Sequence, residues 1–284
     1  MSDAAANWGR AVGVVVPTRN SARTLEACLR SLRAQLVAPV VAVVDNHSTD
    51  ATLAIAHRLA DVVEVFGPER SAQRNRGAEL LASAEIVGFV DSDMVLEPGV
   101  VAQVLATVRE GAGAVIVPEQ TMGAGWVARV RAFERAQYVG ASRVEAPRFF
   151  SAPVWRALGG FDETLDAGED WDVSLRAHAL GIEAARIQAH LWHDESHVGY
   201  FEHCAKKGRY ALGLQRFITK HGAEGRAVLL DRPYLRRPWG LLRHPLLGAG
   251  LVTLKAGEVA AVAAGMLKRF RRSPLGTLSE QADR

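Results

Sequence analysis

The stretch EIVGFVDSDMVLEPG, residues 85–99, predicts a buried strand that ends in two carboxylates. Its apolar run at 86–90 has the length of a core strand, and Asp91 and Asp93 follow it one residue apart. Like charges this close repel each other unless a cation lies beside them. Carboxylate oxygens are the ligands that Mg²⁺ and Mn²⁺ prefer. Taken alone, the pattern also fits a turn with two solvated acids. Other segments of the chain are needed to choose between a metal site and such a turn.

Apolar runs alternate with helical patterns on both sides of this strand. VGVVVP (12–17), VVAVVDN (40–46), DVVEVF (61–66) and GAVIVPE (113–119) are separated by segments of helical spacing, and EAARIQ (183–188) predicts a last edge strand. Continuous β-branched runs of this kind predict an α/β fold with a mostly parallel sheet flanked by helices. Ligands of such sheets bind beyond the carboxyl ends of the strands, where the clusters PTRN, DNHSTD and DSD fall.

Charge is unevenly distributed along the 284 residues. Residues 1–204 contain 18 Lys and Arg against 26 Asp and Glu, whereas residues 205–284 contain 16 basic and 5 acidic residues. This split predicts an acidic catalytic domain at 1–204 and a basic helical extension with a frayed end at 205–284. The first ten residues show no apolar leader, and the distant Cys28 and Cys204 fit a reducing cytoplasm.

Several common cofactor sites are disfavoured by their missing motifs. The first loop, PTRNSAR, has no G-x-G-x-x-G, and GPERSAQRNRGA is not a phosphate-binding P-loop. DNHSTDAT lacks the glycine and the distant glutamate of a calcium loop. The histidines of HLWHDESH (190–197) have no cysteine or helical H-E-x-x-H to support a zinc site.

Five segments together resemble glycosyltransferase family 2 in their order and spacing. They are VVVPTRNSARTLEACLRSL, VAVVDNHSTDAT, RSAQRNRGA, GFVDSDMVL and LGGFDETLDAGEDWDVSLRAHALG, and they extend over residues 12–200. The resemblance implies a GT-A fold, which is a Rossmann-like and mostly parallel sheet flanked by helices. It also implies a metal-dependent, inverting transfer of a sugar from a nucleoside diphosphate to a hydroxyl group.

The resemblance further implies a set of nucleotide-binding residues. These are Pro17, Thr18, Arg19 and Asn20 in the first loop, Asp45 and Asn46 after the second strand, Ser71, Gln73 and Arg74 after the third, and Asp91. Arg74 would give charge-assisted hydrogen bonds to the diphosphate. We interpret Asp50 as a helix cap, and Arg70 and Arg76 as positions on a solvated helix face.

The expected metal ligands come from two distant segments. The resemblance makes Asp93 the direct ligand, Asp91 a residue that reaches ribose or metal, and His193 a ligand that completes the shell. A bound Mg²⁺ or Mn²⁺ would neutralise the departing diphosphate. His190 is expected to pack in the last strand, and His197 to lie outside the site.

The segment AGEDWD (167–172) supplies the candidate base. The resemblance assigns this role to Asp170, since an acceptor hydroxyl must lose its proton as the new bond forms, and assigns Glu169 to orienting or contacting the acceptor. Without the resemblance, both acids would simply stabilise the start of the helix that they open. Ser151 and Trp155 are expected to contact the acceptor, with core packing as the alternative for the indole ring.

The segment HPLLGAGLVTLKAGEVAAVAAGMLKRFRR (244–272) is apolar and flanked by positive charge. Lys255 and Glu258 interrupt the apolar run, so we do not expect a membrane span. Two alternatives remain open at this stage. One is an amphipathic helix on an anionic bilayer, with Lys268, Arg269, Arg271 and Arg272 at the headgroups. The other is a helix packed on the catalytic domain or on a second subunit.

The sequence therefore predicts a glycosyltransferase that acts in glycan or glycolipid assembly. We expect a UDP- or GDP-type sugar donor, a hydroxyl acceptor that is lipid-linked, and a cytoplasmic location, peripheral at the inner face of the cell membrane. No nucleic-acid partner is expected, because no base-stacking platform or reader motif accompanies the basic segment. The alternatives are a non-catalytic nucleotide-sugar-binding module and a sugar nucleotidyltransferase. For the latter, PTRNSARTLE is a poor substitute for a glycine-rich basic loop.

Overall fold

The structure, a computed structural model, describes residues 11–140, 145–236 and 239–270, with side chains described as far as Leu267. It divides into two compact units. Unit 1 comprises Met1–Met122, Tyr138–Glu163 and Glu169–Asp194, and unit 2 comprises Gly123–Gln137, Thr164–Gly168 and Glu195–Arg284. The expected domain limits at residue 204 stay a prediction, and the expected frayed end, residues 273–284, lies outside the described residues.

Strands and helices are numbered in chain order. The strands are β1 (Val12–Thr18), β2 (Val40–Asp45), β3 (Val62–Val65), β4 (Ile86–Phe89), β5 (Met94–Leu96), β6 (Ala114–Ile116), β7 (Glu119–Met122), β8 (Phe149–Ser151), β9 (Ala184–Arg186) and β10 (Leu191–Asp194). The helices are α1 (Leu25–Arg33), α2 (Thr52–Leu59), α3 (Arg70–Leu80), α4 (Val100–Arg109), α5 (Trp126–Ala136), α6 (Ala152–Leu158), α7 (Glu169–Ala179), α8 (Tyr200–Arg209), α9 (Ala211–Leu230), α10 (Pro233–Arg236), α11 (Trp239–Arg243) and α12 (Pro245–Phe270).

Unit 1 is built on a large sheet with the strand order β3-β2-β1-β4-β8-β6-β9. Strands β1 to β4 are parallel, as are β6 and β9. Only β8 among these described strands is antiparallel to its neighbours, β4 and β6. The predicted mostly parallel α/β sheet is therefore confirmed, and β9 forms the expected edge strand.

The core lies on both faces of this sheet. Every residue of β1 and β2 is buried, which explains their continuous valine runs. On one face, α1 buries Leu25, Leu29 and Leu32, at the spacing of a single helical stripe. Burial of both sheet faces leaves only the strand ends accessible to a ligand, and this positions the site.

A second, smaller sheet of the described residues has the order β5-β10-β7, which the sequence did not predict. Strand β10 is antiparallel to β5 and places His193 beside Met94. The amide of Asp194 also donates to the carbonyl of Asp93, at 2.8 Å. This pairing brings the segment HLWHDESH next to DSD, although they are 100 residues apart.

Unit 2 is helical in its described part. Helix α12 packs on α5 and α8 within this unit. Its two charged residues between Pro245 and Leu267 face these neighbours: Lys255 Nζ lies 2.7 Å from Glu134 Oε1, and Glu258 Oε1 lies 2.8 Å from His203 Nε2. The helical character expected for residues 205–284 is confirmed for the described residues of that range.

The length and composition of α12 correct one expectation. Pro245–Leu267 has a mean hydropathy of 1.5, which is enough for a helix of this length to cross a membrane, and only 22% of its most apolar window is buried. We had expected Lys255 and Glu258 to rule out a membrane span. By length and composition alone, they do not. A single helix of this kind is weak support for a membrane span, because the core helix of a soluble protein passes the same test.

We expect Gly88→Ala to destabilise unit 1. Gly88 pairs with Phe149 across the β4–β8 ladder, and an added Cβ would overlap that ring. Overpacking of a buried sheet costs about 1–3 kcal/mol in the free energy of unfolding, to be measured by urea denaturation. Gly99→Ala is the matched control, because the nearest atom to its added Cβ is the end of the Gln103 side chain at 3.6 Å. An equal loss in both variants would contradict the packing argument.

Candidate functional site

The carboxyl ends of β1 and β2 are joined through a buried carboxylate. Thr18 and Asp45 are register partners at these ends, and Thr18 Oγ1 donates to Asp45 Oδ1 at 2.8 Å. Asp45 also accepts hydrogen bonds from the amide of Ser48 at 2.7 Å and from its hydroxyl at 2.5 Å. Asp45 is fully buried, so its observed role is to hold two loops together beneath the sheet edge.

The two loops above Asp45 are connected by further hydrogen bonds. The amide of Asn20 donates to Ser48 Oγ at 2.7 Å, and the Asn20 side-chain oxygen accepts from the amide of Thr49 at 2.9 Å. Asn20 has φ +50°, a left-handed conformation that asparagine tolerates better than most residues. Arg19 and Asn20 are exposed at the tip of this loop.

Several other expected nucleotide-binding residues are buried. Pro17 lies within β1 and is covered, which argues against direct nucleotide contact. Asn46 donates from its side chain to the carbonyl of Pro68 at 2.5 Å. Gln73 donates to the carbonyls of Thr18 and Val44, at 2.9 and 2.6 Å, and Ser71 is also buried. Asn46 and Gln73 therefore hold the backbone at the strand ends through hydrogen bonds from their side chains.

Asp50 lies just before α2. Its carboxylate accepts from the amide of Thr52, the first residue of the helix, at 3.0 Å, and from the amide of Ala22 at 3.2 Å. These bonds lower the pKa of Asp50, and the largest contribution comes from the Thr52 hydroxyl. Asp50 thus satisfies a helix-start amide, but the N-cap position itself is Ala51, which makes no side-chain cap bond.

Arg74 lies at the centre of a cluster of acids. Its side chain is 1% exposed, and Nη2 donates to Asp91 Oδ1 at 2.7 Å. Nη1 donates to Asp170 Oδ1 at 3.0 Å and to Glu169 Oε1 at 3.3 Å. The ring of Phe161 lies 5.0 Å from the guanidinium carbon, within cation–π range. One guanidinium group thus connects the end of β4 with the start of α7.

A second arginine, Arg148, faces Asp91 from β8, and the sequence did not single it out. Because β8 runs antiparallel to β4, the residue before β8 lies at the carboxyl edge: the Arg148 carbonyl accepts from the amide of Phe89 at 2.9 Å. Arg148 Nη1 lies 3.7 Å from Asp91 Oδ2, and its Nε donates to Glu119 at 2.9 Å. An isolated arginine in PRFF carries no sequence signal of such a role.

The surroundings of Asp91 explain how two neighbouring acids, Asp91 and Asp93, can follow β4. Burial by itself would raise the pKa of Asp91, but the guanidinium groups of Arg74 and Arg148 outweigh it and hold this pKa well below its ordinary range. Each of its carboxylate oxygens faces an arginine. The two arginines thus neutralise the charge of Asp91, and its expected role at ribose or metal stays a prediction.

Asp93 turns instead toward His193. Asp93 Oδ2 and His193 Nε2 are 3.0 Å apart, and both side chains are partly exposed. A carboxylate oxygen and an imidazole nitrogen suit Mn²⁺, and the pair therefore fits a metal that takes its other ligands from phosphate and water. The described residues contain no group of three or more His, Cys, Asp or Glu arranged to hold a metal by themselves.

His190 and His197 lie apart from this pair. His190 is half-buried just before β10, and its Nδ1 lies 3.6 Å from Glu97, so it is less covered than the expected packing in the strand requires. His197 is exposed and belongs to unit 2.

The first two residues of α7 have different surroundings. Glu169 is buried and forms ion pairs with Arg70 and Arg74. The side chain of Asp170 is 42% exposed, so it can meet a ligand from solvent while Arg74 holds one oxygen. We had expected both Arg70 and Arg76 on a solvated helix face. Arg70 instead pairs with the buried Glu169. Arg76 pairs with Glu64 and Glu79 at the surface.

Ser151 and Trp155 do not join this group. Ser151 pairs with Ile86, at the end of β4 opposite to Asp91, which argues against an acceptor contact. Trp155 packs against the rings of Phe89, Phe150 and Phe161, with centroid distances of 4.7, 5.5 and 5.3 Å. The indole ring therefore follows the alternative of core packing.

We expect Arg74→Met to lower the free energy of unfolding by about 3–5 kcal/mol at neutral pH, because it removes the buried cation that Asp91, Glu169 and Asp170 share. The depressed pKa of Asp91 stabilises the native state above the ordinary pKa of an aspartate, and this contribution is lost as pH falls through the native pKa. In the variant the acids protonate more readily. The difference in the free energy of unfolding between variant and wild type should therefore become smaller as the pH is lowered toward about 4.

The measurement is urea denaturation of both proteins across this pH range. Arg76→Met on the same helix is the matched control, with an expected change below about 1 kcal/mol, because its ion pairs are at the surface. A pH-independent loss in Arg74→Met would contradict the ionic origin of the effect.

Residues 13–145 match the family model for Glycosyl transferase family 2. The validoxylamine A glucosyltransferase of Streptomyces hygroscopicus subsp. limoneus is 28% identical over an alignment that covers 74% of this chain and 56% of that protein. The protein of the same name from subsp. jinggangensis (strain 5008) is also 28% identical, with 74% and 61% covered. The chain thus spans less than two thirds of the length of these relatives.

Solved structures share the fold. The mannosyltransferase PcManGT from Pyrobaculum calidifontis, in complex with GDP-Man and Mn²⁺, superposes with a TM-score of 0.58 at 22% identity, covering 94% of this chain and 82% of that chain. S. aureus TarS 1-349, in complex with UDP-GlcNAc, superposes with a TM-score of 0.52 at 16% identity, covering 92% of this chain and 91% of that chain. The predicted fold class is confirmed, and residues 13–145 are similar to glycosyl transferase family 2, as the sequence motifs predicted.

Proposed function

We propose that the protein is a glycosyltransferase that moves a sugar from a nucleoside-diphosphate sugar to a hydroxyl acceptor with inversion at the anomeric carbon. One observation carries this proposal: Arg74 binds both Asp91, at the end of β4, and Asp170, at the start of α7. The candidate base is thereby fixed beside the strand end where donors bind in such sheets. The similarity of residues 13–145 to glycosyl transferase family 2 supports the reaction class.

The donor would lie along the carboxyl edge of β1, β2 and β4. The exposed Arg19 and Asn20 offer polar groups to a UDP- or GDP-type nucleotide, while Thr18, Asp45 and Asn46 keep the loops in shape. The complexes of PcManGT with GDP-Man and of TarS with UDP-GlcNAc support a nucleotide-sugar donor, without choosing the base.

Asp93 and His193 would hold a divalent cation, Mn²⁺ or Mg²⁺. When bound, the cation supplies positive charge to the departing diphosphate. The presence of Mn²⁺ in the PcManGT complex supports this choice. With no third acidic or histidine ligand in the described residues, the diphosphate itself would have to complete the coordination.

Asp170 would act as the general base. Its Oδ1 is held by Arg74, and its side chain is exposed enough to accept the proton of an approaching acceptor hydroxyl. Glu169 is buried against Arg70 and Arg74, so its role would be to position Arg74 and not to contact the acceptor. Attack by a hydroxyl group directly on the anomeric carbon gives inversion.

The setting that we propose is the cytoplasmic face of a membrane, with a lipid-linked hydroxyl acceptor in glycan or glycolipid assembly. It is supported by the basic composition of residues 205–284 and by the apolar helix α12.

We expect Asp170→Asn to lower the rate of donor hydrolysis by about 10²–10⁴-fold, because the amide cannot accept the proton of an attacking water or hydroxyl. The affinity for the donor should be unchanged. The assay measures nucleoside diphosphate released from UDP- and GDP-sugars with Mn²⁺ or Mg²⁺. Glu85→Gln, an exposed acid beside the amino end of β4, is the matched control and should retain the wild-type rate.

Two outcomes would contradict this proposal. Donor binding without turnover in the wild type would favour a non-catalytic nucleotide-sugar-binding module. Formation of a nucleotide sugar from a nucleoside triphosphate and a sugar phosphate would favour a nucleotidyltransferase.

A further inference from the structure

The outward face of α12 is apolar along its described length. Leu246, Val252 and Val259 are 87%, 61% and 69% exposed, and Leu267 extends the same surface. The other exposed residues of the helix between these positions are alanines, Thr253 and Met266. A surface helix of a soluble protein normally shows the reverse, with its charged residues outward.

The charged residues of α12 lie on the face that packs within unit 2. Lys255 pairs with Glu134, and Glu258 pairs with His203, both on neighbouring helices. Burial by itself would raise the pKa of Glu258, but the His203 hydrogen bond and Lys255 outweigh this effect and lower it to about 2. The pairs thus hold one side of the helix against protein. That side is not available to lipid, so the helix cannot be surrounded by a bilayer without breaking them.

The apolar surface continues into α11. Trp239 is 72% exposed and Leu242 is also exposed, and α11 contacts α12. Arg243 and His244 are exposed where the two helices meet. Tryptophan and arginine beside an apolar face are typical of segments that lie at the boundary between headgroups and acyl chains.

We propose that this outer face, Leu246, Val252, Val259 and Leu267 together with Trp239 and Leu242 of α11, docks on a lipid bilayer that contains anionic headgroups. The helix lies on the membrane and does not span it, because its opposite side is packed on α5 and α8. Charge complementarity favours lipid over a second copy of the chain. Residues 205–284 contain 16 basic and 5 acidic residues, and the exposed Arg243 lies beside the apolar face. Anionic headgroups attract this excess of positive charge, whereas a second copy with the same excess repels it.

This inference deepens the membrane setting of the proposed function, but it does not depend on the proposed glycosyl transfer. The surface belongs to unit 2 and the proposed catalytic residues belong to unit 1. Vesicle binding and donor hydrolysis can therefore fail separately, and each has its own assay.

The test is co-sedimentation of the full chain with vesicles of phosphatidylcholine, alone or mixed with phosphatidylglycerol, at low salt. We expect binding to the anionic vesicles. The double variant Val252→Glu/Val259→Glu should bind at least about tenfold more weakly, since each valine loses the favourable transfer of an apolar side chain out of water. Both positions are exposed, so thermal unfolding by circular dichroism should be unchanged.

The matched control is Val139→Glu/Leu180→Glu, which places the same charges at exposed apolar positions of unit 1. It should bind vesicles within about twofold of wild type, because its substitutions lie outside the proposed surface. Donor hydrolysis without vesicles should be equal in all three proteins. The proposal is overturned by an absence of wild-type binding, by equal losses in the two double variants, or by a wild-type dimer that Val252→Glu/Val259→Glu dissociates.

Discussion

A single buried guanidinium group organises the candidate site. Arg74 is almost completely removed from water, and burying a charge costs several kcal/mol unless opposite charges and hydrogen bonds surround it. Three carboxylates, from Asp91, Glu169 and Asp170, provide this environment. Burial by itself would lower the pKa of Arg74, but the attraction of Asp170 and Asp91 is stronger and raises it. The guanidinium group is thus charged in the folded protein, and the start of α7 must lie beside α3 to supply two of its partners.

This arrangement gives the two neighbouring acids of DSD different tasks. Asp91 is neutralised by protein cations, whereas Asp93 faces a histidine from a second sheet and stays partly exposed. In the proposed reaction, one acid supports the architecture and the other meets the metal. The same division occurs at the start of α7, where Glu169 is inside and Asp170 faces solvent. In both pairs the less exposed acid binds arginine, and the more exposed acid is the one that we propose to meet a ligand.

Local pattern was sufficient to predict the sheet, because continuous valine runs such as those of β1 and β2 require burial on both faces. The resemblance of motifs correctly paired Asp93 with His193. Local pattern could not predict Arg148 or exclude Ser151, since both depend on the antiparallel direction of the three-residue strand β8. It also could not predict the ion pair of Arg70 with Glu169, because the partners are 99 residues apart and meet only in the folded chain. Similarly, composition indicated an apolar α12 but not which of its faces carries the charges.

The central claim is that the carboxyl edge of the sheet binds a nucleoside diphosphate together with a divalent cation held by Asp93 and His193. The most direct measurement is a thermal-unfolding screen of UDP and GDP with and without Mn²⁺, in the wild type and in Asp93→Ala, because a ligand that binds only the folded state raises its apparent stability. The account predicts that one nucleotide raises the wild-type melting temperature, that Mn²⁺ increases this shift, and that Asp93→Ala removes the Mn²⁺-dependent part. A wild type that responds to neither nucleotide, or a Mn²⁺ effect that persists in Asp93→Ala, would contradict it.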